Sequence, residues 1–133
     1  MKIIGLGVDI IENKRIKSLI RNKKFIHRIY SKKEILISNT INNKTSFFAK
    51  RFVAKEAFSK AIGIGFRDKL NFKDISILND KNGKPYYDLT AKLRKIIFKY
   101  LKINKFKVYL SLSDEKNYSI AFSIIQKWLV KKI

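Results

Sequence analysis

Two acidic residues stand out by their surroundings. Asp9 closes the glycine-spaced run Gly5-Leu6-Gly7-Val8-Asp9, and Glu56 sits in the middle of an apolar helical stretch with Lys60 four residues on. Two carboxylates suit magnesium, which typically takes one or two carboxylates from a protein and leaves its remaining positions to water and substrate phosphate. Each has a simpler reading beside the chemical one. Asp9 at a strand end can cap the helix that follows, and Glu56 with Lys60 makes an ordinary (i, i+4) pair worth about 0.2–0.5 kcal/mol. Further on, Gly63-Ile64-Gly65 follows the end of that helix, where the dipole repels an anion. A phosphate there needs Lys60, Arg67 or Lys69, and a helix stop is the simpler role. The run Asn82-Gly83-Lys84-Pro85 is first a hairpin turn and second a loop able to touch a ligand.

A third feature is electrostatic. Residues 13–33 contain no Asp or Glu but include Lys14, Arg15, Lys17, Arg21, Lys23, Lys24, Arg28, Lys32 and Lys33. So uniform a sign reads either as a solvated helix face or as a docking surface for an acidic partner. His27, the one histidine, lies inside this patch and reads as surface filler rather than as a catalytic base. Trp128 reads as a core anchor.

These residues need elements to hold them. Residues 2–11 are rich in Ile and Val and read as a buried strand. Its alternation puts Gly5, Gly7 and Asp9 on one face, bordering open space, and Leu6, Val8 and Ile10 on the other. Residues 12–39 have helical spacing broken into two or three short helices, one opened by a Ser31/Glu34 capping box. Residues 46–62 form the strongest helix, started by Thr45 or Ser46 and stopped by Gly63. Residues 72–78 and 86–89 form a hairpin. Residues 91–103 are helical, with Leu93, Ile96, Ile97, Tyr100 and Leu101 on the apolar side. Residues 107–113 and 118–126 are closing strands. The order indicates an α+β fold, with a mainly antiparallel sheet packed against a long central helix and shorter helices.

Composition sets the frame. A chain of 133 residues that is 46% hydrophobic is expected to form a single domain, residues 1–133, with one core. Thirty-one Lys and Arg against ten Asp and Glu give +21, a charge that attracts polyanions of any kind. The preference for Lys over Arg, with abundant Ile and Asn, is the mark of an AT-rich coding bias. Without cysteine there are no disulfides or thiolate metal sites. The short apolar start resembles neither a signal peptide nor a membrane span, and the expected location is cytoplasmic. A nucleic-acid-binding reading draws on the charge and on Phe25 and Tyr30 as stacking residues, but no RRM, KH or zinc-finger signature supports it. A membrane-surface reading of the basic helix 91–103 competes with the core's need for the same apolar stripe. Neither nucleic acid nor membrane is expected as a partner.

Taken in order, Gly5-Leu-Gly-Val-Asp9-Ile, Arg15-Ile16, Arg51-Phe52-Val-Ala-Lys55-Glu56-Ala57-Phe-Ser-Lys60-Ala-Ile-Gly63-Ile-Gly65, Asn82-Gly-Lys-Pro85 and Ser111-Leu-Ser-Asp114-Glu-Lys-Asn-Tyr118 closely resemble the holo-acyl-carrier-protein synthase family of 4′-phosphopantetheinyl transferases. The likeness covers nearly the whole chain. It implies transfer of 4′-phosphopantetheine from coenzyme A to a serine of an acidic acyl carrier protein, for fatty acid biosynthesis, by a homotrimer with active sites between subunits. It further implies magnesium, with manganese as substitute, on Asp9 and Glu56. Glu56 and Lys60 are the implied catalytic residues. Lys60, Gly63 and Gly65 would contact coenzyme A phosphates, and Arg51, Asn82, Gly83, Lys84 and Pro85 would hold the nucleotide. Arg15, Arg21, Lys24 and Arg28 would dock the carrier. Asp114 stands where many members have histidine, so no role passes to it: an Asp repels phosphate but can accept a hydrogen bond from metal-bound water.

Overall fold

The computed structural model describes residues 1–64 and 70–128. The predicted α+β arrangement is present. Strand β1 (Lys2–Glu12) runs into three short helices, α1 (Asn13–Leu19), α2 (Lys23–Ile29) and α3 (Lys32–Ser38), followed by the long helix α4 (Lys44–Ala61). A small antiparallel hairpin of β2 (Ile77–Asn79) and β3 (Pro85–Tyr87), helix α5 (Ala91–Leu101) and strands β4 (Phe106–Asp114) and β5 (Tyr118–Lys127) complete the order. The main sheet is antiparallel, β1-β5-β4, with Val8 opposite Phe122, Asp9 opposite Ala121 and Leu112 opposite Ala121 on the far side.

Helix α4 lies directly on this sheet, and the sequence makes room for it. A Cβ at Gly7 would overlap the carbonyl oxygen of Ala57, and one at Gly5 that of Ala61. Ser119, Ala121 and Ser123 keep β5 equally low beneath the helix. The glycine face of β1 therefore does not border open space as the alternation suggested, because helix backbone fills it. The opposite face is the exposed one: Leu6, Val8 and Ile10 are 57%, 50% and 59% exposed. The strand expected to be buried is buried on one side only.

Local signals set most boundaries. Ser31 and Glu34 form the expected capping box at α3. Helix α4 starts earlier than expected, because Asn43 rather than Thr45 or Ser46 supplies the cap to the Ser46 amide. It ends at Gly63, whose φ of +77° is the left-handed conformation a glycine adopts at little cost. The stretch expected as a strand at 72–78 opens instead as a single 3₁₀ turn, Phe72–Asp74. The carbonyls of Phe72 and Ile75 accept hydrogen bonds from Lys55 Nζ at 3.0 and 2.6 Å, so this backbone is spoken for before β2 begins.

That lysine is fully buried, and so is its ion-pair partner Glu34, 2.6 Å away. Burial lowers the Lys55 pKa and Glu34 opposes the shift. Glu34 also accepts from the amides of Ser31 and Ile77, at 2.8 and 3.2 Å. One buried pair thus joins α3, α4 and the entry to the hairpin. Removing either partner would strand the other charge, at a typical cost of about 3–5 kcal/mol.

Candidate active site and family membership

At the end of β1, Asp9 is the first inward position that α4 does not cover with backbone. Its side chain retains 19% exposure, and Lys60 reaches it from α4: Nζ donates to Asp9 Oδ1 at 3.1 Å and to the Val8 carbonyl at 3.0 Å. Glu56 lies one helical turn before Lys60 and is half-buried. Its pKa is pushed up to about 7, first by burial and then by the negative charge of Asp9, against the pull of Lys60 and Arg15. Residues far apart in sequence therefore converge on one electrostatic unit: two acids in each other's field, one lysine bridging to β1, and Arg15 of α1 near enough to be felt. The expected (i, i+4) pairing of Glu56 with Lys60 is replaced by the cross-element pair with Asp9.

A second group forms beside the hairpin. Arg51, only 4% exposed, stacks 3.7 Å above the Phe47 ring and donates from Nη2 to Asn79 Oδ1 at 2.5 Å. Burial lowers its pKa, and Glu34 and Tyr30 resist that shift. The Asn79 Nδ2 group donates to the Gly83 carbonyl at 2.9 Å, so Arg51 is tied to the turn carrying Asn82, Gly83, Lys84 and Pro85. Asp80 shapes this turn by accepting from the amides of Asn82 and Lys84, and Gly83 takes φ +83°. The family resemblance implied a shared nucleotide role for Arg51 and the turn but gave none to Asn79. An Asn just before the turn residues was the only available signal.

Of the remaining candidates, Gly63 follows α4 directly after the site, whereas Gly65, Arg67 and Lys69 lie outside the described residues. Arg15, Arg21, Lys24 and Arg28 are all exposed, along α1, α2 and the turn between them. His27 is exposed as expected. Trp128 is not the core anchor expected from its type: it is 37% exposed, with the Lys107 ammonium 5.2 Å from its ring. Phe25 and Tyr30, offered as stacking residues for a nucleic acid, are buried in the core, where the Tyr30 hydroxyl donates to the Phe48 carbonyl at 2.8 Å. Among the described residues no helix is long and apolar enough to cross a membrane.

Asp114 belongs to a third place. Its Oδ2 accepts from Ser46 Oγ at 2.6 Å, and Lys50 lies 3.9 Å from Oδ1, which binds the end of β4 to the first turns of α4. A cleft of about 730 Å³ opens there, bordered by Lys14, Lys17, Ser46, Asp114 and Lys116. It includes neither Asp9 and Glu56 nor the hairpin turn.

The sequence and the fold recur in known proteins. Residues 5–123 match the 4′-phosphopantetheinyl transferase superfamily. The holo-[acyl-carrier-protein] synthase of Pelagibacter ubique is 58% identical over 127 residues, covering 96% of this chain and 99% of its own. The crystal structure of the Neisseria meningitidis holo-[acyl-carrier-protein] synthase superposes with a TM-score of 0.84 at 37% identity, over 95% of this chain and all of that one. The Bacillus anthracis synthase, crystallised in complex with CoA (3′,5′-ADP), gives 0.78 at 33% identity, over 95% and 98%. With the sequence match over nearly the whole chain and the shared fold in accord, this chain belongs to the 4′-phosphopantetheinyl transferase superfamily, among its holo-acyl-carrier-protein synthases.

Proposed function

We propose that this chain, as one domain, transfers 4′-phosphopantetheine from coenzyme A to a serine of an apo acyl carrier protein, serving fatty acid biosynthesis in the cytoplasm. The observation that carries the reading is the cluster at the end of β1, where Asp9, Glu56, Lys60 and Arg15 share one field. In the reaction the serine oxygen bonds to the β-phosphorus of coenzyme A, and the pyrophosphate bridge breaks. Adenosine 3′,5′-bisphosphate leaves, and the serine proton passes to a base. Glu56, half-buried beside Asp9, would be the side chain of this chain to accept it, with water as the other acceptor.

The donor set fits a magnesium ion. Burial and then the negative charge of Asp9 already raise Glu56, so both carboxylates would gain from a shared divalent cation, and a hard ion with so few protein ligands leaves positions for phosphate oxygens. Among the described residues no group of three or more His, Cys, Asp or Glu gathers, as a closed protein cage would require. When bound, the ion would supply neutralisation of the pyrophosphate charge. Lys60 would support the same charge. Once another cation neutralises Asp9, its ammonium has less reason to remain there. Arg51 and the turn from Asn82 to Pro85 would hold the nucleotide, with Gly63 and Gly65 near the phosphates.

Arg15, Arg21, Lys24 and Arg28 would present positive charge to an acidic carrier, beginning beside the reacting groups and extending along α2. A homotrimer gains support from the outer sheet face. There Val8 lies opposite Phe122 and Ile10 opposite Ile120, with Leu6 and Tyr118 extending an apolar patch of the kind soluble monomers rarely leave bare. The threefold order itself comes from the family resemblance.

The direct test is intact mass of the cognate apo carrier after incubation with the protein, coenzyme A and magnesium. The expected product is heavier by one phosphopantetheine and is absent when the acceptor serine is changed to alanine. An unmodified cognate carrier, with folded and metal-supplied protein, would overturn the proposal.

A further inference from the structure

The amide of Asn79 contacts two groups that the sequence separates by some thirty residues. Arg51 offers only donors, so the oxygen of the Asn79 side chain must face it. The Gly83 carbonyl offers only an acceptor, so the NH₂ end must face that. Both ends are thereby satisfied, at 2.5 and 2.9 Å, and the orientation of the amide is fixed by chemistry. No other uncharged side chain of this length supplies one acceptor and one donor at this separation. Aspartate would keep the guanidinium contact and set a negative oxygen against the Gly83 carbonyl, whereas leucine would lose both contacts.

We propose that Asn79 is a positioning residue for coenzyme A: by joining the Arg51 guanidinium to the Gly83 carbonyl it makes α4 and the hairpin turn one rigid receptor for the nucleotide end. This inference rests on the transferase reading above. Its structural basis is the different fixity of the two halves. Arg51 is immobilised by burial, by the Phe47 ring and by a 3.5 Å bond to the Phe47 carbonyl. The turn is exposed at every residue from Lys81 to Lys84. Asp80 closes the turn on itself, and among the described residues only Asn79 links it to Arg51. The base of the hairpin stays on α4, because the Tyr87 hydroxyl donates to the Ala54 carbonyl and Lys55 to the carbonyls of Phe72 and Ile75. Loss of the Asn79 link therefore frees only the tip of the turn relative to Arg51, and the cost falls on binding the nucleotide rather than on transferring the phosphoryl group.

The test uses the full chain and measures coenzyme A binding by calorimetry with magnesium present, beside steady-state kinetics. Asn79→Leu and Asn79→Asp should each weaken coenzyme A binding by at least about twofold, the lower end of the range for coupled neighbours. KM for coenzyme A should rise to match, with kcat and the KM for the carrier close to wild type. In an Arg51→Met background the same Asn79→Leu change should have little further effect. A purely structural role would lower the melting temperature and leave the KM of the folded fraction unchanged. Wild-type binding with undiminished binding by Asn79→Leu overturns the positioning role alone, as does a full effect of Asn79→Leu in the Arg51→Met background. Failure of the wild type to bind coenzyme A overturns the transferase reading and this inference with it.

Discussion

Lys60 crosses from α4 to β1 and sets its ammonium 3.1 Å from Asp9 Oδ1, although Glu56 stands one turn behind it on its own helix. The choice follows from packing. The glycine strand brings β1 so close to α4 that Asp9 and the Val8 carbonyl together offer two acceptors, against one carboxylate offered by Glu56. The outcome is a paired Asp9 and a Glu56 left in a partly desolvated setting, its pKa raised accordingly.

If these two acids hold the metal, Asp9→Ala and Glu56→Ala should each lower transfer by more than the ~10–100-fold typical of a residue acting only through a ligand. Their circular dichroism spectra should match wild type. Manganese titration followed by electron paramagnetic resonance should show weaker binding in both. Normal turnover by either folded variant would remove that residue from the site.

The Glu56 pKa of about 7 also predicts a pH dependence of stability. Below the ordinary value of 4.5 both folded and unfolded chains hold the proton. Between 4.5 and about 7 the unfolded chain releases it and the folded chain keeps it, so stability falls as pH rises through this window and the deficit levels off above it. In metal-free buffer Glu56→Gln should therefore melt like wild type near pH 4 and at a higher temperature near pH 8. A variant no more stable than wild type at pH 8 would contradict the desolvated setting.

Arg15 opens the basic surface, so Arg15→Glu should weaken docking of the carrier. KM for the carrier should rise by about tenfold or more while KM for coenzyme A changes little, and added salt should weaken the wild-type interaction as screening shortens to about 10 Å near 0.1 M. Unchanged Michaelis constants would return this surface to ordinary solvation.

The apolar sheet face makes the last prediction. Phe122→Lys puts a charge at its centre, opposite Val8, without touching the helix side of β5. If the chain assembles through this face, sedimentation should show an oligomer for the wild type and monomers for the variant, with the helical signal retained; a monomeric wild type would overturn the assembly. An oligomer that survives the substitution would locate the interface elsewhere.

The local features of the fold were legible in the sequence. The capping box at Ser31, the stop at Gly63 and the apolar side of α5 depend on neighbours within a few residues, and each is present. Asp9, Glu56 and Lys60 were legible by type, but not their pairing, which depends on how a strand docks on a helix some fifty residues later. The 3₁₀ turn at Phe72 was missed for the same reason: Lys55 claims its carbonyl from another element. Trp128 was misplaced because residue type reports a preference for burial and not whether the core has room at the chain's end.

The contact of Gly5 and Gly7 with the carbonyls of Ala61 and Ala57 has a consequence for how such a sequence can change. Strand and helix there meet main chain to main chain, so the spacing between Asp9 and Glu56 is gauged by atoms that every amino acid shares. Elsewhere the chain can exchange arginine for lysine and valine for isoleucine under the pressure of its codons without moving that gauge. A genome drifting toward AT-rich codons can thus rewrite most of the surface while these two glycines, themselves encoded by GC-rich codons, hold the reacting groups in register.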